Sequence, residues 1–317
     1  MKTEKISYRG KHFTIPKLSH SGFFLEPNPE EDRTVIPYEN PIIQNLNKVW
    51  DLKNFKIPRN LVSLGELAWE EGVSFSKSTG IRILDMPIKF PGSEFRVPQE
   101  LQPFLPVIQR VANYEARVNP QCYDEYYCYI SVDQQLVKAG NLQREAPAHV
   151  DGFQGARWNP NVRCNHTYVI SDHIPTVYYI QPFELDMLDE AKHNFFWEFN
   201  RQVAATNSTF AWRPRPYELN MMDCYTVHRG DEAAVDTFRT WVRLSFEVRI
   251  FDRLGNAHNP MFKYDWEMVP RDIEGLNLVA YDPTGDPSLH VFPHEKIDGT
   301  PHEGKTKTKP NLKPNKE

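Results

Sequence analysis

The sequence predicts a mainly β fold with helices (α+β), a β-sandwich or jelly roll behind a helical and irregular N-terminal extension. Three observations predict it. Strand-like runs recur between Tyr123 and Phe251, with one strong helical segment among them. The composition, with 19 Phe, 14 Tyr, 7 Trp and 26 Pro in 317 residues, favours strands and structured loops over a helical bundle. The last run alternates with period two. Thr240, Val242, Leu244, Phe246, Val248 and Ile250 point one way, and Arg239, Trp241, Arg243, Ser245, Glu247 and Arg249 the other.

The elements follow in order. Residues 1–60 mix short apolar runs with turn residues such as Pro27-Asn28-Pro29 and read as irregular cover for a core. A first helix is expected over 61–72, stopped by Gly72. A second starts near Pro106, a residue suited to the first helical turn, carries Val107, Ile108, Val111 and Ala112 at helical spacing, and ends at Asn119-Pro120. From Tyr123 the texture becomes aromatic and strand-like. Strands are expected at 166–171 and 175–183, joined through the turn-prone Ser171-Asp172-His173. Residues 185–204 form the helix of this half, with Leu185, Leu188, Ala191, Phe195 and Phe199 roughly on one face. Strand texture returns at 209–212, 217–228 and 236–251. The expected organisation is a region 1–120 packing on the core, a catalytic β core 121–255, a C-terminal extension 256–301, and a disordered lysine- and proline-rich tail 302–317.

Bulk properties narrow the function classes. A net charge of −5 and the lack of a basic aromatic stripe argue against nucleic-acid binding. No long uncharged apolar run exists to span a membrane, and the N-terminus lacks the apolar stretch of a signal peptide, so a cytoplasmic location is expected. Cys122, Cys128, Cys164 and Cys224 show no CxxC spacing and read as reduced and structural.

The chemistry is carried by His149-Val150-Asp151. On a strand, residues i and i+2 share a face, so His149 and Asp151 project together while Val150 points away. Alone, the tripeptide is a weak signal. It gains weight from His228, which ends an apolar run just before Arg229-Gly230, as a ligand at a barrel rim would. Two imidazoles and one carboxylate can hold a metal on one face and leave the other open, a ligand set suited to oxygen chemistry at non-haem Fe(II). Arg239 and Arg243 follow on one strand face, and a guanidinium fork suits an acidic cosubstrate. His166 and His173 lie in polar surroundings and could compete as ligands; His290, His294 and His302 lack a paired carboxylate at strand spacing.

These residues resemble the Fe(II)/2-oxoglutarate-dependent dioxygenases, whose pattern is His-x-Asp, a distal His, then an Arg on the following strand. The stretch 225–246 looks much like that family's closing strands, and the resemblance covers about 122–252. It implies a double-stranded β-helix core and His149, Asp151 and His228 as ligands of Fe(II). It also implies 2-oxoglutarate and O2 as cosubstrates, with decarboxylation to succinate and oxidation of a C–H bond. Arg239 stands at the interval from His228 seen in several relatives, whereas Arg243-Leu244-Ser245 resembles the family's Arg-x-Ser pair, so Arg239, Arg243 and Ser245 are all candidates for binding 2-oxoglutarate. Because Asp151 keeps the carboxylate that halogenating members lack, hydroxylation, desaturation or ring formation is expected instead.

The loop after the metal aspartate offers an aromatic and cationic wall in Phe153, Arg157, Trp158 and Arg163. It suits a small, partly anionic, amino-acid-like or natural-product substrate. The alternatives are a protein-modifying 2-oxoglutarate hydroxylase and a non-enzymatic jelly-roll binding protein. The sequence leaves the oligomeric state open.

Overall fold

The computed structural model describes residues 3–8, 11–144, 147–151, 163–189 and 193–268. Its strands are β1 (Thr3–Tyr8), β2 (Lys11–Pro16), β3 (Gly22–Leu25), β4 (Val62–Glu66), β5 (Arg82–Lys89), β6 (Phe95–Pro98) and β7 (Tyr127–Val137). They continue with β8 (His166–Ser171), β9 (Thr176–Tyr179), β10 (Ala211–Trp212), β11 (Glu218–Asp223), β12 (His228–Gly230) and β13 (Thr237–Glu247). The centre is a six-stranded antiparallel sheet in the order β4-β11-β8-β13-β7-β5, with a smaller sheet in the order β10-β9-β12. Two antiparallel sheets and few helices make a jelly-roll core, the fold class the alternating runs predict.

The period-two alternation of β13 has a physical cause on each side. Val242, Leu244 and Phe246 sink into the main apolar cluster with Val107, Ile108 and Val111 of the helix Leu105–Val118. That helix covers the outer face of the large sheet, and such fully buried side chains each contribute about 1.5–3 kcal/mol. The opposite face of β13 looks between the sheets, where Trp241 packs beside Val169, Met222 and Tyr178. A second cluster backs the small sheet. It joins Val177, Tyr179 and Val227 to Phe195, Phe199 and Val203 of the helix Phe195–Ala205.

Three elements differ from the sequence expectation. Residues 62–66 form a strand rather than the start of a helix, because Val62 and Leu64 alternate with Ser63 and Gly65 and pair with β11. The helix begins only at Trp69 and runs through Gly72 to Phe75. The helix expected from 185 starts at Phe195, where the Asn194 side chain accepts from the Phe196 and Trp197 backbone N–H groups and caps it. From the N-terminal third, β4 and β5 form the two edges of the large sheet. Among the described residues, no helix is long and apolar enough to cross a membrane. The tail 302–317, and the C-terminal extension from 269, lie outside the described residues.

Candidate metal centre

His149 and His228 face each other across an antiparallel bridge, each backbone N–H donating to the other's carbonyl at 2.9 and 2.8 Å. Their rings stand 4.6 Å apart between centroids. Two residues on, Asp151 shares the face of His149, while Ala148 and Val150 turn into the cluster behind the small sheet. One ligand atom from each of His149, Asp151 and His228 lies within 4.8 Å of the others. Among the described residues this is the one group of His, Cys, Asp and Glu gathered closely enough to hold a metal ion.

Local structure fixes the trio. The Asn200 side chain clamps the strand beside His149, accepting from the Ala148 N–H at 3.1 Å and donating to the Ala148 carbonyl at 3.3 Å. Before His228, Asp223 Oδ1 accepts from the Tyr225 N–H and the Thr226 hydroxyl, closing a tight turn that delivers the histidine to the sheet rim. Each imidazole is oriented by a carbonyl, Nδ1 to Pro147 O at 2.8 Å for His149 and Nδ1 to Thr226 O at 2.9 Å for His228. A carbonyl only accepts, so both Nδ1 atoms carry the proton and both Nε2 atoms keep a free lone pair. Burial, reinforced by the neighbouring His228, pushes His149 down to about 4. Burial likewise lowers His228. Burial alone would raise Asp151, but the Arg243 guanidinium beside it holds it well below the usual carboxylate range. Two neutral imidazoles and an ionised carboxylate are the protonation states that a divalent cation requires.

The two strand arginines occupy different environments. Arg243 lies between two carboxylates, Nη1 3.0 Å from Asp151 Oδ2 and Nη2 2.6 Å from Asp85 Oδ1. Arg239 makes no such ion pair among the described residues. Its Nε donates to the His173 carbonyl at 2.9 Å, Nη1 donates to Gln143 Oε1, and the buried Nη2 has no partner among the described residues. Burial lowers Arg239 to about 10. Tyr178 stands opposite His228 in register, with its ring 5.9 Å from the imidazole. Burial raises its phenol, whose hydroxyl senses the charges of both Asp151 and Arg239. Ser245 is buried on the same β13 face and accepts from the Thr167 hydroxyl at 3.4 Å.

The remaining candidates fall elsewhere. Arg163 pairs with Glu125 at 2.6 Å, donates to Gln121 and lies over the Tyr126 ring, none of them a neighbour of the trio. Phe153, Arg157 and Trp158 lie outside the described residues. His166 is no competing ligand, because its Nδ1 pairs with the buried Glu115 at 2.9 Å against the helix Leu105–Val118. All four cysteines are buried and unbridged. Sequence reading misses Asp85, Tyr178 and Asn200. Of these only Tyr178 carried a signal, the alternation of the run PTVYYIQPF.

No protein-family profile matches the chain, and no curated protein is similar to it in sequence. Solved structures are similar at low identity. AviO1 from Streptomyces viridochromogenes Tue57 is 13% identical with a TM-score of 0.37, covering 65% of this chain and 93% of that one. EvdO2 from Micromonospora carbonacea var. aurantiaca, complexed with 2-oxoglutarate, is 13% identical with a TM-score of 0.36, covering 64% and 93%. EctD from S. alaskensis with bound Fe is 14% identical with a TM-score of 0.35, covering 77% and 97%.

Proposed function

We propose that this chain is a non-haem Fe(II)/2-oxoglutarate-dependent oxygenase. It hydroxylates, desaturates or cyclises a small amino-acid-like or natural-product substrate while 2-oxoglutarate is decarboxylated to succinate. One observation carries the reading. A cluster of two neutral imidazoles and one carboxylate adjoins Tyr178, whose phenol senses the charge of Arg239, a buried arginine with a donor that has no partner among the described residues. The cluster holds a metal by one face, and the arginine needs an anion.

His149, Asp151 and His228 would hold the iron through Nε2, one carboxylate oxygen and Nε2. Bound there, Fe(II) supplies the redox chemistry that couples decarboxylation of the 2-oxo acid to oxidation of the substrate C–H bond. The protein's own residues bind and orient. Arg239 takes the distal carboxylate of 2-oxoglutarate on Nη2, its fork held still by the His173 carbonyl and Gln143. Arg243 suits that task less, because Asp85 and Asp151 already occupy both ends of its guanidinium. Tyr178 packs beside the metal ligands, its ring 5.9 Å from that of His228.

The substrate is assigned a partly anionic character, with Arg144, an exposed residue whose charge bears weakly on His149, Asp151 and His228, as one cationic group near the cluster. Phe153, Arg157 and Trp158, next along the chain from Asp151, are assigned to the substrate wall, and the protein to the cytoplasm. Purified protein given Fe(II), ascorbate and 2-oxoglutarate should release succinate, with Asp151→Ala inactive. Failure to bind iron, with no turnover across a library of amino acids and related metabolites, would overturn the proposal.

A further inference from the structure

Asp85 is the residue beside this cluster that its strand should not supply. It sits in β5 at φ 46°, in the left-handed region that a β-strand residue without special cause avoids. The pairing of β5 with β7 slips between Ile83 and Met86, a bulge that turns Asp85 out of the sheet. Ser131, from the facing strand β7, pins it there twice. The Asp85 backbone N–H donates to the Ser131 hydroxyl at 2.9 Å, and that hydroxyl donates to Asp85 Oδ1 at 3.0 Å. The same Oδ1 holds Arg243 Nη2 at 2.6 Å, and Arg243 Nη1 holds Asp151 Oδ2 at 3.0 Å. All three charged side chains are largely buried, at 14%, 12% and 21% exposure.

The contacts of Asp151 divide between its two oxygens. Oδ2 goes to Arg243, whereas Oδ1 is the atom 4.0 Å from His228 Nε2 and so the one that faces the ligand cluster. Two carboxylates share one guanidinium, so the group keeps a net negative charge. Were Arg243 paired to Asp151 alone, its full positive charge would bear on the metal carboxylate and compete with a cation. Asp85 draws part of that charge away.

We propose that Asp85 and Arg243 are positioning residues that commit Asp151 to a metal through Oδ1 alone, with Asp85 setting how strongly the carboxylate attracts the cation. The proposal rests on the trio being a metal site, as the proposed function requires, and assigns the bulge in β5 to that purpose. Partners that orient a ligating carboxylate behave in this way in metal sites, where removing one typically weakens binding roughly 10–100-fold.

The test uses Co(II) alone as the probe, with the full chain, following affinity and the visible ligand-field spectrum. In Asp85→Asn, which keeps the shape and the Ser131 contact, Co(II) binding should weaken by roughly 10–100-fold. Ser131→Ala, which frees Asp85 without altering charge, should weaken it in the same direction by less. Arg243→Met releases Oδ2 and should change the ligand-field spectrum by allowing a second oxygen to bind. A purely structural ion pair would lower the melting temperature and leave affinity and spectrum as in the wild type. That result in Asp85→Asn overturns the proposal, and if Asp85→Asn does not fold, the same result in Ser131→Ala does so. A wild-type chain that binds no Co(II) overturns the metal site itself, and this proposal with it. Wild-type binding with unaltered variants removes only the positioning pair.

Discussion

Replacing Arg239 with Met separates cosubstrate binding from metal binding. The guanidinium is buried, two of its nitrogens are held by His173 and Gln143, and Nη2 has no partner among the described residues. Burial lowers it from the ordinary 12.5 to about 10, which at roughly 1.4 kcal/mol per pKa unit is a penalty on the order of 3 kcal/mol for the charged form. A carboxylate docking on Nη2 would relieve much of that penalty, and a hydrogen bond to a charged group is itself worth about 1.5–3 kcal/mol. Losing about 2.7 kcal/mol raises a dissociation constant roughly 100-fold. Arg239→Met should therefore weaken 2-oxoglutarate binding by about that factor, measured by calorimetry with Co(II) or Mn(II) in place of iron. Metal affinity should stay within a few-fold of wild type, because the arginine touches no ligand. Thermal stability should hold or rise, since a buried charge with an idle donor has gone. A variant that binds 2-oxoglutarate as tightly as wild type would refute the assignment of Arg239.

Other outcomes follow from the same geometry. Asp151→Ala should abolish stoichiometric metal binding, read by equilibrium dialysis, while leaving a folded chain by circular dichroism; retained one-to-one binding would exclude the trio. Asn200→Ala removes the clamp on Ala148 and should cost about 1–3 kcal/mol in urea denaturation through unsatisfied backbone groups, together with weaker Co(II) binding; unchanged Co(II) affinity would show that the clamp does not position His149. Glu115 is fully buried, and although burial alone would raise its carboxyl, His166, Tyr168 and Asn119 hold it below the ordinary value. Its stabilising contribution is thus complete above the unfolded carboxylate value and is lost as pH falls through the lowered folded value. Glu115→Gln should lose roughly 3–5 kcal/mol at neutral pH and show a flatter acid limb in urea midpoints; an acid limb as steep as the wild type would contradict this.

The sequence made some features readable because their signals repeat locally. The alternation through β13 separates Arg239, Trp241, Arg243 and Ser245 from the core residues Val242, Leu244 and Phe246 without any knowledge of neighbours. The i, i+2 spacing of His149 and Asp151 is likewise a local rule, and Val150 does turn away into the apolar cluster. Other features depend on partners far along the chain. Val62–Glu66 is a strand because β11 offers it an edge, and five residues carry too little periodicity to decide against a helix. The helix start at Phe195 rests on the Asn194 cap, which outweighs the apolar spacing that begins at Leu185. Asp85 is illegible for the same reason. Its place depends on a bulge opposite Ser131 and on an arginine that follows it by 158 residues. In sequence Arg239 and Arg243 are both arginines on one strand face, and only the fold tells them apart, Arg243 lying beside Asp85 while Arg239 Nη2 has no partner among the described residues.

The most direct test of the central claim is an anaerobic titration of the purified chain with Fe(II), followed by 2-oxoglutarate, read by visible absorption. The proposed function predicts one Fe(II) bound per chain and a charge-transfer band that grows in when the 2-oxo acid chelates the metal. The band should be lost in Asp151→Ala and should need far more 2-oxoglutarate in Arg239→Met. A wild-type chain that binds no iron, or that binds iron and shows no such band at saturating 2-oxoglutarate, would contradict it.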